Sequence, residues 1–380
     1  MPDTPTYKPE WAPDEADNKF ASRVMYGLTQ DGCEPHSIAA DAVKAARPPE
    51  LTAADYIAGI LKGDRMILAR AITIIESNAA KHFALGQEIV QGLLPYGGKS
   101  IRVGITGVPG AGKSTFIEAL GMRLIQAGRR VAVLAVDPSS TLSRGSILGD
   151  KTRMEQLSKE NAAFIRPSPS GGTLGGVTRK SRETLLLCEA AGFDIILVET
   201  VGVGQSETTV RTMVDFFMAL VITGAGDDLQ GIKKGILELA EAIVVNKADG
   251  ANKQKALVTQ AEYNQVLHYL RPVTEGWQTH AYVCSAQTGE GIAEIWQMVA
   301  GFMEQMRQSG QLHARRQQQN LTWVRDMADQ YVQKLLNDNP AITEPRHQIE
   351  LKVLAGSLSP TTALRQIIEV IEDGLINQGG

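Results

Sequence analysis

The chain is short of cysteine and histidine, carries no excess of basic charge and contains no long apolar run, and each shortage removes a class of protein. Its three cysteines, Cys33, Cys188 and Cys284, stand far apart, so there is neither a disulfide framework nor a C-x-x-C metal site. Isolated thiols of this kind read as buried side chains in a reducing compartment. The histidines His36, His82, His268, His280, His313 and His347 are scattered and make no concentrated ligand set for nickel or zinc. Lysine and arginine number 38 against 42 acidic residues, a net charge of -4, which leaves no broad basic field for nucleic acid. No uninterrupted apolar stretch approaches the roughly 18 residues of a membrane span. Asp3, Glu10, Asp14, Glu15 and Asp17 oppose a secretory signal or an Arg-rich transit peptide. A cytoplasmic protein acting on neither nucleic acid nor membrane is expected. With 380 residues, 43% hydrophobic and 21% charged, the composition is ordinary for a soluble globular chain that holds one large domain with additions.

Segment 1–50 is rich in proline and weak in periodicity, and reads as irregular. From residue 51 the pattern becomes helical. Thr52 followed by Asp55 resembles an N-cap with an acidic third position, after which Ile57, Ile60 and Leu61 share one face. Ile67, Leu68, Ala71, Ile74 and Ile75 repeat that spacing, so residues 51–98 are expected to form a helical subdomain. Short runs rich in valine and isoleucine follow at 101–106, 131–136, 195–198, 219–222, 243–245 and 281–284, separated by amphipathic stretches. That alternation predicts an α/β domain over 99–309, with a mostly parallel central sheet flanked by helices. Residues 310–380 read as a helical C-terminal extension. Its apolar stripes, Val324, Met327, Tyr331 and Leu335, then Leu364, Ile367, Ile368 and Ile371, are read as intramolecular core in preference to partner surface.

Three motifs carry chemistry. Gly107-Val108-Pro109-Gly110-Ala111-Gly112-Lys113-Ser114 fits G-x-x-x-x-G-K-[ST] directly after a predicted strand. Glycines let backbone N–H groups curl around phosphate oxygens, and the next helix adds its positive end. Gly110, Ala111, Gly112, Lys113, Ser114 and Thr115 are therefore candidate phosphate contacts, with Lys113 reaching the β- and γ-phosphates and Ser114 ligating Mg²⁺. The second motif, Glu199-Thr200-Val201-Gly202, stands where many GTPases carry D-x-x-G, the acid near Mg²⁺ and the glycine N–H on the γ-phosphate. Asp137 ends another predicted strand and adds a carboxylate at the same sheet edge. The glycine-punctuated stretch 144–153 contains Asp150 and reads as a loop that rearranges with the γ-phosphate or as a solvated one. Val203 occupies the place of the usual water-orienting glutamine, so slow intrinsic hydrolysis is expected. The third motif is Asn246-Lys247-Ala248-Asp249, whose aspartate can accept two donors that guanine presents and adenine does not. Lys247 can lay its stem along the base, Asn246 can tie this loop to the phosphate loop, and a backbone N–H of Ser285-Ala286 can meet guanine O6.

From about residue 50 onward these blocks resemble the MeaB/ArgK family of methylmalonyl-CoA mutase accessory GTPases, in the SIMIBI class of P-loop GTPases. The resemblance rests on residues 107–115, 136–140, 144–153, 199–207 and 246–249. It implies GTP and GDP as ligands, with Ser114, Asp137, Asp150 and Glu199 around Mg²⁺. It makes residues 224–234, with Asp227, Asp228, Lys233 and Lys234, a third switch, and sets Lys233 beside Lys113, Asp137 and Glu199 in the catalytic group. It further implies a homodimer, with the C-terminal extension as its dimerisation element. The implied partner is an acyl-CoA mutase carrying adenosylcobalamin, methylmalonyl-CoA mutase or a relative, whose cofactor loading or protection is coupled to GTP. No histidine here has an aspartate two residues before it, so the D-x-H-x-x-G signature of many cobalamin-binding mutases is absent from the sequence. Two other readings compete: a metal-insertion GTPase, which the scattered histidines and cysteines oppose, and a P-loop small-molecule kinase, which has little use for a guanine reader.

Overall fold

The computed structural model describes residues 51–77, 79–136, 154–167, 174–200, 205–223 and 234–376. The expected site residues Asp137, Asp150, Gly202 and Lys233, together with Cys33 and all of 1–50, lie outside the described residues. Helix α1 (Ala53–Leu61) begins as its sequence predicts: the Asp55 N–H donates to Thr52 Oγ1 at 3.3 Å and the Thr52 N–H donates to Asp55 Oδ2 at 2.9 Å. Hydrogen bonds from Thr52 hold the Asp55 carboxyl below its usual range. Asp64 caps α2 (Arg65–Glu76) by accepting from the N–H groups of Met66 and Ile67, and α3 (Ala80–Leu93) follows. The buried faces differ slightly from the predicted ones. Tyr56 joins Ile60 inside while Leu61 is exposed, and Ile72 joins Leu68, Ala71 and Ile75 while Ile67 and Ile74 are half-buried. These helices pack on one another as well as on the sheet side, so each buries more than the single stripe its period suggests.

Strand and helix then alternate through β1 (Ile101–Gly107), α4 (Lys113–Gln126), β2 (Val131–Val136), α5 (Glu155–Lys159) and β3 (Ala163–Arg166). The pattern continues with α6 (Leu174–Ala190), β4 (Ile195–Thr200), α7 (Gln205–Arg211), β5 (Phe216–Ile222) and α8 (Lys234–Leu237). It closes with β6 (Ala242–Asn246), α9 (Lys253–Leu267) and β7 (His280–Val283). Every pairing among the described strands is parallel, in the order β3-β2-β4-β1-β5-β6-β7. The edge strand β3 was not expected, because its four residues end in Arg166 and make too short an apolar run to stand out. Side chains of successive residues leave the sheet on opposite faces. Val198, Phe217 and Ile243 meet Leu68, Ile72 and Leu187 on one face. Leu197, Phe216 and Val244 meet Phe116 of α4 on the other, together with Phe302 of α10 (Ile292–Gln308), whose ring lies edge-on to Phe216 at 5.0 Å.

The amino edge of this sheet is finished by acids placed one residue before a strand. Asp194, Asp215 and Glu241 precede β4, β5 and β6, and their carboxylates accept from the backbone N–H of Arg130, Arg102 and Phe217 at 2.8, 2.9 and 2.7 Å. Asp215 and Glu241 are fully buried, and a buried charge is tolerated only when paired and hydrogen-bonded. Most of the partners come from α11 (Gln311–Asp338): Arg316 grips Asp215 with two bonds of 2.8 and 2.6 Å, and Arg315 reaches Glu241 at 3.2 Å. Arg211 completes the Glu241 site at 2.6 Å. Burial pulls the Arg211 guanidinium below its usual range against the opposing pull of Glu241. The C-terminal extension is thus bolted to the edge opposite the one that carries the motifs.

Beyond that bolt the expectation of an intramolecular core is corrected. Val324 and Tyr331 are 58% and 63% exposed, and Leu364, in α13 (Pro360–Ile376), is 58% exposed. Helix α11 extends past the sheet, and α12 (Pro340–Leu354) and α13 pack chiefly on each other, so little of the chain is available to cover the stripes. At the amino edge, Glu241→Ala strands two buried guanidiniums. Its unfolding free energy, measured from urea denaturation, is expected to fall by about 3–5 kcal/mol, and Glu241→Gln to fall less because it still accepts from the Phe217 N–H.

Candidate nucleotide site

The carboxyl edge of the sheet gathers the motifs because β1 lies in its middle. Strand β4 flanks β1 on one side, pairing Glu199 with Ile105, and β5 flanks it on the other. Strand β2 lies beyond β4 and aligns Val136 with Thr200. Strands β6 and β7 lie beyond β5 and end at the N-K-x-D loop and the Ser285 loop. A phosphate loop in the middle, carboxylates to one side and base-reading loops to the other is the order a nucleotide requires at the switch point of an open α/β sheet.

Helix α4 starts from Gly112, which adopts φ +86° and supplies no side-chain cap. Its leading N–H groups are the kind that bind anions at helix N-termini. Lys113 is buried, and its Nζ donates to Gly107 O at 2.8 Å and Val108 O at 3.4 Å, which holds the ammonium inside the loop. Ser114 Oγ donates to Glu199 Oε1 at 3.1 Å. Two hard oxygen donors from different elements within hydrogen-bond distance fit a Mg²⁺ site. Thr115 is exposed at the start of α4, and Gly110 is exposed at the tip of the loop.

Asn246 joins the two halves of the site. Its Nδ2 donates to Ala111 O of the phosphate loop at 2.8 Å, and its Oδ1 accepts from the Ala286 N–H at 3.0 Å. The tie also explains Gly112: a Cβ there would sit 2.7 Å from Asn246 Nδ2, and the φ is one that L side chains avoid. Lys247 is the one non-glycine residue with positive φ among those described, at +62°, a conformation that locates local strain at functional sites. Ser285 Oγ donates to Asp249 Oδ2 at 2.7 Å and fixes the direction of that carboxylate. The Ala248 N–H donates to Cys284 O at 3.0 Å, which sets the two loops side by side. Burial pushes the Cys284 thiol up to about 12, so it is inert packing beneath the loops, and Cys188 is likewise buried.

The residues brought together are Gly110, Ala111, Gly112, Lys113, Ser114, Thr115 and Glu199 on one side, and Asn246, Lys247, Asp249, Ser285 and Ala286 on the other. Sequence reasoning gave no role to Thr106, Thr200 and Glu207, three buried polar side chains directly beneath the phosphate loop. The presence of Glu207 in the long 199–207 block was the one available signal.

The sequence matches the family described as methylmalonyl Co-A mutase-associated GTPase MeaB over residues 68–341. It is 49% identical to the GTPase ArgK of Escherichia coli over 323 residues, which cover 85% of this chain and 98% of that one. It is 46% identical over 324 residues to the mitochondrial methylmalonic aciduria type A homolog of Mus musculus, covering 83% of this chain and 78% of that one. A crystal structure described as an LAO/AO transport system kinase superposes with a TM-score of 0.72 at 42% identity, covering 86% of this chain and all of that one. A phosphate loop tied through Asn246 to the N-K-x-D loop, with an acid on the neighbouring strand, together with the family match over residues 68–341 and relatives this similar over most of their length, places the chain in the MeaB family of methylmalonyl-CoA mutase-associated GTPases.

Proposed function

We propose that this GTPase is a chaperone that couples GTP binding and hydrolysis to the loading, protection or reactivation of cobalamin on methylmalonyl-CoA mutase or a related acyl-CoA mutase. The observation that carries the guanine reading is the Ser285–Asp249 bond beside the Asn246 tie: it leaves Asp249 oriented as a two-point acceptor at a fixed distance from the phosphate loop. The Ser285 N–H donates to Glu290 O and the Ala286 N–H to Asn246. Guanine O6 is therefore met by sharing the Ala286 N–H or by the next amide, that of Gln287. We assign hydrolysis to residues 99–309, with 51–98 and 310–380 as helical attachments.

In this reading Lys113 leaves the loop carbonyls for the β- and γ-phosphates and neutralises the charge that develops between them. Ser114 and Glu199, with Asp137 and Asp150, would hold Mg²⁺. When bound, the ion neutralises and orients the phosphate oxygens. Val203 supplies no group to orient water, so the intrinsic rate is slow and the partner raises it by ordering groups at the γ-phosphate, Lys233 among them. The kinase description of the solved relative suggests a second reading. A small-molecule kinase gains nothing from a guanine reader held this firmly, and the MeaB match favours the mutase. In this reading the cobalamin sits on the partner, and the lack of a D-x-H-x-x-G signature in this sequence is consistent with that. The exposed Val324, Tyr331 and Leu335 of α11 support a homodimer built on the C-terminal extension.

Asp249→Asn should weaken GTP and GDP binding and improve binding of xanthine nucleotides, because xanthine offers a carbonyl where guanine offers its amine. Equal ATP and GTP affinity in the parent protein would overturn the guanine assignment. Steady-state assays with methylmalonyl-CoA mutase should show Mg²⁺-dependent turnover that is slow alone, rises at least tenfold with the mutase and collapses in Lys113→Ala. No stimulation by any acyl-CoA mutase removes the proposed partner. Light scattering should give twice the chain mass for the parent and a lighter species for Val324→Asp with Tyr331→Asp; a parent monomer removes the dimer.

A further inference from the structure

Beneath the phosphate loop lies a chain of hydroxyls that ends on a carboxyl. Thr106, the residue before Gly107, is 0% exposed, Thr200 is 0% exposed and Glu207 is 1% exposed. Thr200 Oγ1 donates to Thr106 Oγ1 at 2.8 Å, and Thr106 Oγ1 donates to Glu207 Oε1 at 3.4 Å. Burying three polar side chains at one point costs free energy unless they satisfy one another, and a carboxyl is the most costly of the three. A strand core needs none of them, since the valines and leucines around them fill the same space.

The placement of the two partners of Thr106 says what the chain is for. Thr200 is the last residue of β4 and follows Glu199. Glu207 lies in the first turn of α7. Only residues 201–204 separate the end of β4 from the start of α7, so both flanks of this short connection are pinned to one hydroxyl. That hydroxyl belongs to the strand that delivers the phosphate loop. Close packing of α7 on β1 makes the reach possible: a Cβ at Gly104 would meet Val210 Cγ1 of α7 at 3.1 Å. The contact to Thr200 is tight and the one to Glu207 is long for O–H···O, so the β4 flank is held firmly and the α7 flank has slack to take up.

We infer that Glu207 is a positioning residue for GTP hydrolysis: through the Thr106 hydroxyl it sets α7 in register with the phosphate loop and with Thr200, the neighbour of Glu199. Its contact with Thr106 makes it a positioning group in this mechanism. The inference rests on the proposed roles of Lys113 and Glu199, and its expected signature is a loss of turnover without an equal loss of GDP binding.

The test uses the full chain with Glu207→Ala, Glu207→Gln and Thr106→Val, measuring GDP and GTP affinity, kcat, KM and the unfolding midpoint for each. Glu207→Ala should lower kcat roughly tenfold while the GDP Kd stays within about threefold, the effect of leaving a buried hydroxyl without its acceptor. Glu207→Gln keeps an acceptor oxygen and should recover most of the turnover. Thr106→Val should reproduce the loss, and combining it with Glu207→Ala should add little, because the two act through one contact. Parent-like kcat in Glu207→Ala, or losses that add in the double variant, overturns the inference. So does a fall in GDP affinity and unfolding midpoint that matches the fall in kcat. Should Glu207→Ala not fold, Thr106→Val decides in the same way: reduced kcat with intact GDP affinity supports the inference and parent-like kcat overturns it. A parent protein with no GTP turnover would instead remove the reading of the site itself.

Discussion

The amide of Asn246 holds the site to one geometry, because a single planar group bonds to the phosphate loop through its nitrogen and to the Ser285 loop through its oxygen. An asparagine side chain has no slack to take up: both bonds are near 3 Å, and moving either loop breaks one of them. Other features follow from that tie. Gly112 has to lack a Cβ, since the amide occupies the space. Lys247, the next residue, turns into positive φ as the chain leaves β6. Asp249 then arrives within reach of Ser285, and Cys284 is sealed beneath them. The contacts to both loops are main-chain groups, and the Cys284 thiol adds a third bond to the amide oxygen at 3.5 Å.

The two edges of the sheet use polar groups in opposite ways. At the amino edge the acids before β5 and β6 are spent inside the fold: each accepts a strand N–H and is neutralised by arginines from α7 or α11. Such buried pairs add little net stability compared with apolar packing of the same volume, but removing one member is costly. They therefore specify where α11 docks more than how strongly the domain holds. At the carboxyl edge the polar groups bond to one another lightly and can be released: Lys113 to two loop carbonyls, Ser114 to Glu199. A ligand that replaces those contacts with phosphate and metal contacts meets a preorganised site.

Much of this was legible in the residues alone, and the reasons for the exceptions are physical. Strands buried on both faces show as short valine and isoleucine runs, so the sheet was legible, and the described motif residues fall where those runs end, while Asp137, Asp150, Gly202 and Lys233 lie outside the described residues. The strand β3 did not, because four residues ending in an arginine carry too little pattern. The Thr52 cap was legible, whereas Tyr56 and Ile72 were missed, since periodicity shows one stripe and neighbours decide how wide the buried face becomes. The amino-edge acids were invisible because Asp215 and Glu241 stand at strand starts like any turn residue, and their arginines lie far away in the chain. The α11 stripe was read correctly as apolar and wrongly as core, since a stripe in a sequence does not say whether any of the same chain is left to cover it.

That exposed stripe and the nucleotide site lie on elements that leave the sheet at opposite edges, and the sheet is a poor conductor between them. Strands β1, β4, β5 and β6 are paired on both sides and buried on both faces. Sliding one of them breaks two ladders and opens a close-packed core, so these strands have a single arrangement and offer no second state for a ligand to select. A change of nucleotide is therefore expressed outside these paired strands. The amino-edge bolt serves the complementary purpose. By fixing the start of α11 to Asp215 and Glu241 it sets the position of the extension relative to the sheet. A partner that covers the stripe therefore has no route through the paired strands by which to sense the nucleotide, and the described link between the two edges is α7, which carries Glu207 under the phosphate loop and Arg211 at the Glu241 site.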